Sequence, residues 1–394
     1  MRILKISYEY PPLGGGGARV VFGLSRELVR LGHEIDIVTM GYEGLNSLER
    51  LNGITVHRLR PTRRDNIVCH TSEMIRHELQ AIPFIHRLIR RNSYDLNHSH
   101  FIFPDGLSAL AMKMMTGLRY IITAHGSDVP NYNPDRFTIE HKSLAYMWRL
   151  VVGNADCVVC PSEHLRSLVL AKRKSTRTCV IPNGMDLEKF NPGRQKRPQM
   201  LVVTRMLRRK GVQNLLKAVK DWDLPYEIHI VGDGPYLPKL RELAVGSAAR
   251  IRFWGWLEND SKELKDLYET SSTFVFLSSS ENFPINLLEA MASGMSIVTN
   301  AASGCEEVVG DSALKVDPTS PEQVRNALSY LLGNQNLSRE LGRQARMRFE
   351  DRFTWPAIAA QYDSLYQELA HSSQRQRHVF LQRDRNQSIR EKVP

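Results

Sequence analysis

The sequence has no long hydrophobic run, few cysteines and no repeating composition. No segment approaches the roughly 18–20 consecutive apolar residues that span a bilayer, and residues 1–7 are too short and too interrupted for a signal peptide. The five cysteines, an odd number, agree with a reducing compartment. The 25 Gly and 19 Pro follow no period, which excludes a collagen-like chain. These absences predict a globular protein of the cytoplasm.

The length and the apolar content indicate several folded domains. At about 100–200 residues per domain, 394 residues suggest two domains or three. Hydrophobic residues make up 42% of the chain and aromatic residues 8%, so intrinsic disorder is excluded as a general description.

Positive charge is in excess but unevenly placed. The 53 Lys and Arg against 42 Asp and Glu give +11. Residues 1–193 carry 25 against 18, or +7; residues 194–374 carry 22 against 22; residues 375–394 carry 6 against 2, or +4. Anionic partners are therefore expected at the first half or the tail. Nucleic acid is not expected, because no recognition motif or interleaved aromatic pattern accompanies the charge.

Short Ile- and Val-rich runs alternate with helical patterns in two series, which predicts two parallel sheets covered by helices on both faces. The first series of strands covers residues 2–8, 33–40, 54–59, 96–101, 120–124 and 155–160. The second series covers residues 200–204, 226–231, 251–254, 273–277, 296–299 and 313–316. The fold class is therefore α/β, with two Rossmann-like, doubly wound domains facing a central cleft.

The chain is divided into five predicted parts. They are a first, N-terminal Rossmann-like domain (1–193), a polar linker (194–198), a second, C-terminal Rossmann-like domain (199–354), a terminal helix packing back on the first domain (355–372) and a basic tail (373–394).

Four glycines, Gly14 to Gly17, follow the first strand and precede a helix. Backbone N–H groups in such a loop can approach a phosphate at a helix N-terminus. The dinucleotide fingerprint fails, because Arg19 stands where its third glycine is required. A plain flexible turn remains the alternative.

The second series carries cations at its first strand-to-helix turn. Arg205 follows the strand, and Lys210 with Gly211 opens the next helix. Arg by a forked pair of hydrogen bonds and Lys as a point charge can bind a diphosphate. A solvated basic turn is the alternative.

Two glutamates, Glu281 and Glu289, are separated by seven residues. Glu281 is predicted in a turn after a strand and Glu289 within the following helix. A carboxylate there can accept both hydroxyls of a ribose, and the backbone N–H groups at the helix start can face a phosphate. A helix-end charge and a surface residue are the respective alternatives.

Together these motifs resemble a known family. The motifs are Pro11-Pro12 with Gly14–Gly17, Thr123–Asp128, Ile181–Asp186, Arg205 with Lys210-Gly211, Val231–Pro235, and Glu281–Pro284 through Glu289–Gly294. In this order they resemble the retaining glycosyltransferases of family four, which have the GT-B fold, and the last motif resembles their Glu-x7-Glu signature. The resemblance covers about residues 1–370.

The resemblance implies a retaining hexosyltransferase that uses a nucleotide diphosphate sugar, with a UDP-sugar favoured. It also implies that residues 1–193 form the acceptor-side domain and residues 199–354 the nucleotide-sugar-binding domain. Glu289 would hold the ribose, and Arg205 and Lys210 the diphosphate. Glu281 and the turn around Phe283 would contact the donor sugar or phosphate. The implied donor-binding set also contains Gly16, Gly17, Gly232, Asn282, Pro284, Ile285 and Leu288. His125 would lie beside the transferred sugar and Asp128 on the acceptor side; the implied catalytic residues are His125, Glu281, Arg205 and Lys210.

Two residues depart from the family pattern. Asn282 and Thr204 stand where the family usually has Gly, and Asn282 leaves the sugar preference open. The resemblance implies no cofactor and no required metal. Asp221 and Asp223 form an Asp-x-Asp, the metal-binding motif of the other large glycosyltransferase fold, but they fall in a helix-to-strand loop without the matching neighbourhood. His98 and His100 point to one face of a strand, but no third ligand is spaced to complete a zinc site. A histidine that lines the cleft is favoured over a zinc site, and buried, hydrogen-bonded histidines are favoured over both.

The predicted acceptor is a glycan or a lipid-linked acceptor, and a bacterial envelope or exopolysaccharide pathway is the expected setting. Residues 73–91, with arginines in residues 58–64, form a candidate basic and apolar surface for an anionic membrane, which would make the protein peripheral on the inner face. A core-packed helix pair with a solvated charged face is the alternative. Two alternative functions are a non-catalytic sugar-nucleotide-binding scaffold and a GT-B epimerase or synthase acting on a soluble acceptor.

Overall fold

The computed structural model describes residues 1–66, 68–132, 143–301 and 304–370. The predicted basic tail, residues 373–394, lies outside the described residues. The chain forms two compact units. The first contains residues 1–160, 168–181 and 358 onward, and the second contains residues 161–167 and 182–357. The predicted domain limit at residue 193 thus falls inside the second unit.

The first unit is built on an eight-stranded sheet. Its strands are β1 (Arg2–Ile6), β2 (Glu34–Gly41), β3 (Leu48–Leu51), β4 (Ile54–Pro61), β5 (Leu96–His100), β6 (Tyr120–Thr123), β7 (Cys157–Cys160) and β8 (Thr178–Val180). The strand order is β3-β4-β2-β1-β5-β6-β7-β8, and every pair is parallel except β3 with β4. The helices in this part of the chain are α1 (Gly16–Arg30), α2 (Thr71–Arg91), α3 (Asp105–Thr116), α4 (Ala145–Asn154) and α5 (Glu163–Lys172).

The second unit is built on a six-stranded, all-parallel sheet. Its strands are β9 (Arg197–Val203), β10 (Glu227–Val231), β11 (Arg250–Gly255), β12 (Ser271–Phe276), β13 (Ser296–Asn300) and β14 (Leu314–Val316), in the order β11-β10-β9-β12-β13-β14. The helices are α6 (Val212–Val219), α7 (Leu237–Ala244), α8 (Lys262–Thr270), α9 (Ile285–Ala292), α10 (Gly304–Val309), α11 (Pro321–Gly333) and α12 (Gln335–Arg352). Residues 355–370 form the terminal helix, α13, which belongs to the first unit from residue 358 onward. Strand β9 begins inside the predicted linker, at Arg197.

Both faces of the second sheet are buried, as its continuous apolar strands predict. Leu201 packs into one apolar cluster with Phe274 and Phe276, whereas Met200 and Val202 pack into another on the opposite face. Successive side chains of a strand point to opposite faces, so β9 contributes to both clusters.

In each sheet the strand order reverses next to the first strand of the series. The reversal lies between β1 and β5 in the first sheet and between β9 and β12 in the second. Open parallel sheets bind ligands outside the carboxyl ends of their strands at this topological switch point. The fold therefore marks one candidate binding position in each unit.

Candidate functional site

In the second unit, the loops that follow β9 and β12 meet at the switch point. Thr204 is buried after β9, Arg205 is exposed, and a short 3₁₀ turn, Arg208–Lys210, leads into α6. A side chain at Gly211 would clash with the backbone oxygen of Leu277, just beyond β12. Glycine therefore permits the close approach of the two loops.

Lys210 and Glu281 form an ion pair across this switch point. Their side chains are 12% and 11% exposed, so the pair is largely removed from water. The Lys210 ammonium also lies 5.9 Å from the centre of the Phe276 ring. Two residues predicted separately from sequence are thus direct neighbours, which disagrees with the alternative of a fully solvated basic turn at Lys210.

The turn at Glu281, Asn282 and Phe283 is held from several sides. The Glu281 carbonyl accepts a hydrogen bond from the Gly304 N–H (3.0 Å). The Asn282 side-chain oxygen accepts one from the Ser162 hydroxyl (2.8 Å), and the Phe283 ring packs edge-on against Phe353 with centroids 5.5 Å apart. The Asn that departs from the family pattern is therefore buried and engaged.

The first turn of α9 follows directly. Pro284 precedes the helix, Ile285 begins it, and Leu288 is fully buried. The Asn286 amide donates a 2.6 Å hydrogen bond to the carbonyl of Val203, the last residue of β9. This bond joins the N-terminus of α9 to the carboxyl end of the neighbouring strand.

Glu289 points inward from α9 and is 5% exposed, which excludes a surface role. One of its carboxylate oxygens accepts from the Lys189 ammonium at 2.5 Å, and the other accepts from the Tyr268 hydroxyl at 2.8 Å. Burial, with the nearby Glu289 charge, raises the pKa of Tyr268 well above its ordinary value, so Tyr268 stays a hydrogen-bond donor. Lys189 and Tyr268 were not predicted from sequence.

Gly232 lies beside the end of β9. Its φ is +128°, and a side chain there would clash with the carbonyl oxygen of Thr204. Its N–H donates to the Gly255 carbonyl at 2.7 Å. A residue other than glycine would displace the backbone that leads to Arg205.

In the first unit, the glycine run follows β1 at that sheet's own switch point. Gly16 begins α1 with open space around its Cα, whereas a side chain at Gly17 would meet the Phe101 ring at 2.6 Å. The Gly15 N–H donates to a carboxylate oxygen of Glu9 at 3.3 Å. The loop is therefore supported by Glu9 and Phe101, which sequence reasoning did not identify.

His125 lies next to the same position. Its ring packs against the Phe101 ring, tilted by 34° with centroids 4.2 Å apart, and its Nε2 lies 3.2 Å from Nδ1 of His100. Burial lowers the pKa of His125 to about 3, so the imidazole is neutral at pH 7. It can exchange hydrogen bonds with a neutral hydroxyl but supplies no positive charge.

Asp128 supports the backbone that carries His125. One carboxylate oxygen accepts from the N–H groups of His125 (3.0 Å) and Gly126 (2.8 Å), and the other accepts from Ile102 (2.7 Å). Burial raises the pKa of Asp128 to about 6. The structure thus shows a positioning role, and the predicted acceptor-side contact stays a prediction.

The histidines considered for zinc are buried and hydrogen-bonded, as favoured from sequence. His98 bonds to the hydroxyls of Tyr366 (2.6 Å) and Thr123 (2.8 Å), and its ring stacks on His100 with centroids 4.3 Å apart. Asp221 and Asp223 are both exposed.

The candidate membrane surface is partly a packed helix. On α2, Ala81 and Ile85 are buried in the core, whereas Ile75 and Leu79 are 58% and 70% exposed. Arg58, which the basic surface was expected to include, is 6% exposed and donates to the carbonyl of Pro11. Within the described residues, no helix combines the length and apolar character needed to cross a membrane.

Two family models match consecutive parts of the chain. A family model described as Glycosyltransferase Family 4 matches residues 14–189, and one described as Glycosyl transferases group 1 matches residues 185–348. The N-acetyl-alpha-D-glucosaminyl L-malate synthase of Bacillus anthracis is 24% identical over 395 residues, covering 92% of this chain and 96% of that protein.

Two solved structures share the fold along nearly the whole chain. Sucrose-phosphate synthase from Thermosynechococcus elongatus has a TM-score of 0.79 at 22% identity, covering 94% of this chain and 100% of that one. Anabaena HepE, solved in complex with UDP-glucose, has a TM-score of 0.70 at 16% identity, covering 93% and 100%. These structures show that the chain has the GT-B fold, and the two family models, which together cover residues 14–348, show that it belongs to the glycosyltransferases of the family 4 type.

Proposed function

We propose that the protein transfers a sugar from a UDP-sugar to a glycan or lipid-linked acceptor, with retention of the anomeric configuration, in the synthesis of a bacterial envelope glycan or exopolysaccharide. The observation that carries the proposal is the Lys210–Glu281 pair at the switch point of the second sheet, on the same segment as the inward-pointing Glu289. The UDP-glucose complex of the similarly folded HepE supports the choice of donor.

Glu281 pairs with Lys210 and Glu289 with Lys189, and a bound donor would replace Glu281 as the partner of Lys210. The diphosphate would take the Lys210 ammonium, with Arg205 adding a forked contact, and would leave Glu281 to accept a hydroxyl of the donor sugar. The ribose hydroxyls would donate to the carboxylate of Glu289, which Lys189 and Tyr268 already orient.

The chemistry follows from where charge develops. As the bond from the sugar to the diphosphate breaks, negative charge grows on the leaving phosphate, so fixed cations stabilise the transition state more than the ground state. In the proposed front-face route, the leaving phosphate helps to deprotonate the acceptor, and no general base is needed. Neutral His125 would exchange a hydrogen bond with the transferred sugar.

Donor binding measured by calorimetry tests the site. Lys210→Met and Glu289→Gln should each weaken UDP-sugar binding by about 10- to 100-fold, because a hydrogen bond to a charged group contributes about 1.5–3 kcal/mol. Lys217→Met on α6 and Glu322→Gln on α11 change exposed residues and serve as matched controls. If thermal unfolding shows that both site variants are folded, unchanged affinity for the UDP-sugar in both would refute the assignment of Lys210 and Glu289 to the donor site.

The sugar and the stereochemistry need a separate experiment. A panel of nucleotide sugars is screened for thermal stabilisation, since a ligand that binds the folded state raises its stability. The best donor is then used in a transfer reaction, and the anomeric configuration of the product is read by NMR. An inverted anomeric centre would exclude the retaining mechanism.

Transfer to a small soluble acceptor is the second candidate. It is favoured by the Bacillus anthracis relative, whose name describes the synthesis of an N-acetyl-alpha-D-glucosaminyl L-malate and which aligns along nearly its whole length. Turnover with small hydroxy acids or polyols, without lipid or polysaccharide, would select this candidate over the first.

Association with an anionic membrane would bring the enzyme to a lipid-linked acceptor. Exposed Ile75 and Leu79 on α2, next to exposed Arg76, form the patch that would insert. Sedimentation with anionic vesicles should fall for Leu79→Glu, whereas neutral vesicles should retain little of either protein. Equal sedimentation with both vesicle types would refute membrane association.

A further inference from the structure

Three metal-ligating side chains meet in the first unit, away from the residues assigned above. His77 and Glu78 lie on α2, and Asp105 is the first residue of α3. They are 1%, 6% and 0% exposed, respectively. Nε2 of His77 lies 3.6 Å from Oδ1 of Asp105 and 4.0 Å from Oε1 of Glu78, and one ligand atom from each residue lies within 4.8 Å of the others.

The outer atoms of the cluster are engaged and the inner ones are not. The Ser108 hydroxyl donates to Oε2 of Glu78 at 2.6 Å, and the Tyr8 N–H donates to Oδ2 of Asp105 at 3.1 Å. Among the described residues, both ring nitrogens of His77, Oε1 of Glu78 and Oδ1 of Asp105 have no hydrogen-bond partner. The carboxylates are thus held from outside, while their inner oxygens face the imidazole.

Such a cluster lacks a positive charge. Within the part of the chain that the structure describes, neither Glu78 nor Asp105 forms an ion pair with Lys or Arg. Two buried carboxylates without a counter-ion are costly, because buried charges require pairing or metal coordination.

We infer that His77, Glu78 and Asp105 bind one divalent transition-metal ion, with Zn²⁺ as the reference ion. One imidazole nitrogen and two carboxylate oxygens are ligands that Zn²⁺ accepts at about 2.0–2.2 Å, whereas Mg²⁺ and Ca²⁺ favour oxygen alone. Tetrahedral ligands at those bond lengths lie roughly 3.4 Å apart. The 3.6 Å and 4.0 Å separations therefore need only a small contraction to close on an ion.

The position of the ion suggests a structural role. Asp105 holds the backbone of Tyr8, the Tyr8 ring packs on Phe101 with centroids 4.8 Å apart, and the Phe101 ring packs against that of His125. An ion joining α2 to α3 would fix the foundation of the loop after β1 without touching a reacting atom. The inference does not rest on the proposed donor, acceptor or stereochemistry.

Metal binding to the full chain, prepared without a polyhistidine tag and treated with a chelator, tests the inference. Calorimetry with Zn²⁺ alone should show one-to-one binding and a raised unfolding temperature. His77→Gln should weaken binding by more than about 100-fold, since even outer partners of metal ligands contribute 10- to 100-fold. His86→Gln changes a histidine on the same helix outside the cluster and should bind as the wild type does.

A second variant and a spectroscopic probe cover the case in which His77→Gln does not fold. Glu78→Gln keeps the shape of the side chain and should lose Zn²⁺ binding likewise. Co²⁺ bound to the wild type should show visible absorption bands typical of a low-coordinate site, and Zn²⁺ should displace it. The absence of saturable Zn²⁺ binding to the wild type, or equal Zn²⁺ affinity in the wild type and a folded cluster variant, would overturn the inference.

Discussion

The positioning role of Asp128 can be tested directly, because its carboxylate accepts hydrogen bonds from three backbone N–H groups that belong to two segments of the chain. At neutral pH, above its pKa of about 6, the carboxylate is ionised and accepts all three bonds. In Asp128→Asn, the amide oxygen can keep the bonds to His125 and Gly126. The amide NH₂ then faces the N–H of Ile102, a fully buried residue.

The expected penalty follows from that geometry. A buried donor without a partner costs about 1–3 kcal/mol, so exchange of the Ile102 amide should accelerate by roughly 5- to 150-fold. The amides of His125 and Gly126 should stay protected in Asp128→Asn but lose protection in Asp128→Ala, which removes all three bonds. In the opposite orientation of the asparagine amide, the bond to Ile102 would be kept and the two bonds to His125 and Gly126 would be lost.

Hydrogen–deuterium exchange with peptide resolution is the assay, because residues 102 and 125–126 fall in separate peptides. Asp223→Asn, an exposed aspartate of the second unit, is the control. Unaltered exchange at Ile102 in folded Asp128→Asn, or equal acceleration in both segments, would refute the view that the two oxygens serve different segments.

Two further predictions concern the second unit. Gly304→Ala places a Cβ against the carbonyl oxygen of Asn282, so the free energy of unfolding should fall by about 1–3 kcal/mol in thermal unfolding and donor binding should weaken. Gly333→Ala is the control, because a Cβ at Gly333 has no atom within 4 Å and should not destabilise the fold. Burial lowers the pKa of Lys196 from 10.5 to about 8, while its ammonium donates to the Ser293 carbonyl at 2.7 Å. Between pH values of about 8 and 10.5, the unfolded chain binds more protons than the folded chain. The free energy of unfolding should therefore rise by about 3 kcal/mol as the pH increases through this range. Urea titrations at several pH values should show that Lys196→Met removes this rise.

The results that would contradict these two predictions are simple. Equal unfolding temperatures of Gly304→Ala and Gly333→Ala would show that the turn at Asn282 yields without cost. A pH dependence that is the same in the wild type and in Lys196→Met would show that Lys196 titrates alike in both states.

Most of the fold was predictable because apolar strands are local patterns. Two strands were missed: β3, Leu48–Leu51, is polar and pairs at an edge, and β8 has three residues. Sequence reasoning placed Lys210 and Glu281 in separate turns. The strand order, which brings β9 beside β12, makes those turns neighbours.

The remaining site contacts join residues that are distant in sequence. Lys189 lies 100 positions before Glu289, and no local pattern relates them. The His77, Glu78 and Asp105 cluster likewise forms only when α2 packs beside α3. For such contacts, the residue type shows which hydrogen bonds, ion pairs or metal bonds a side chain can form, and the packing of helices and strands decides which partner it meets.

The terminal helix α13 has a consequence for the order of events during synthesis. Its Tyr366 completes the hydrogen bonding of His98, 268 positions earlier, and its Asp363 bonds to His33. At roughly 5–20 residues per second, a ribosome needs about 13–54 s to cover that distance. All of residues 182–357, the main part of the second unit, are synthesised in the meantime. The first unit, whose synthesis begins first, is therefore completed last. His33 and His98 gain their partners in α13 only when the end of the chain has been synthesised.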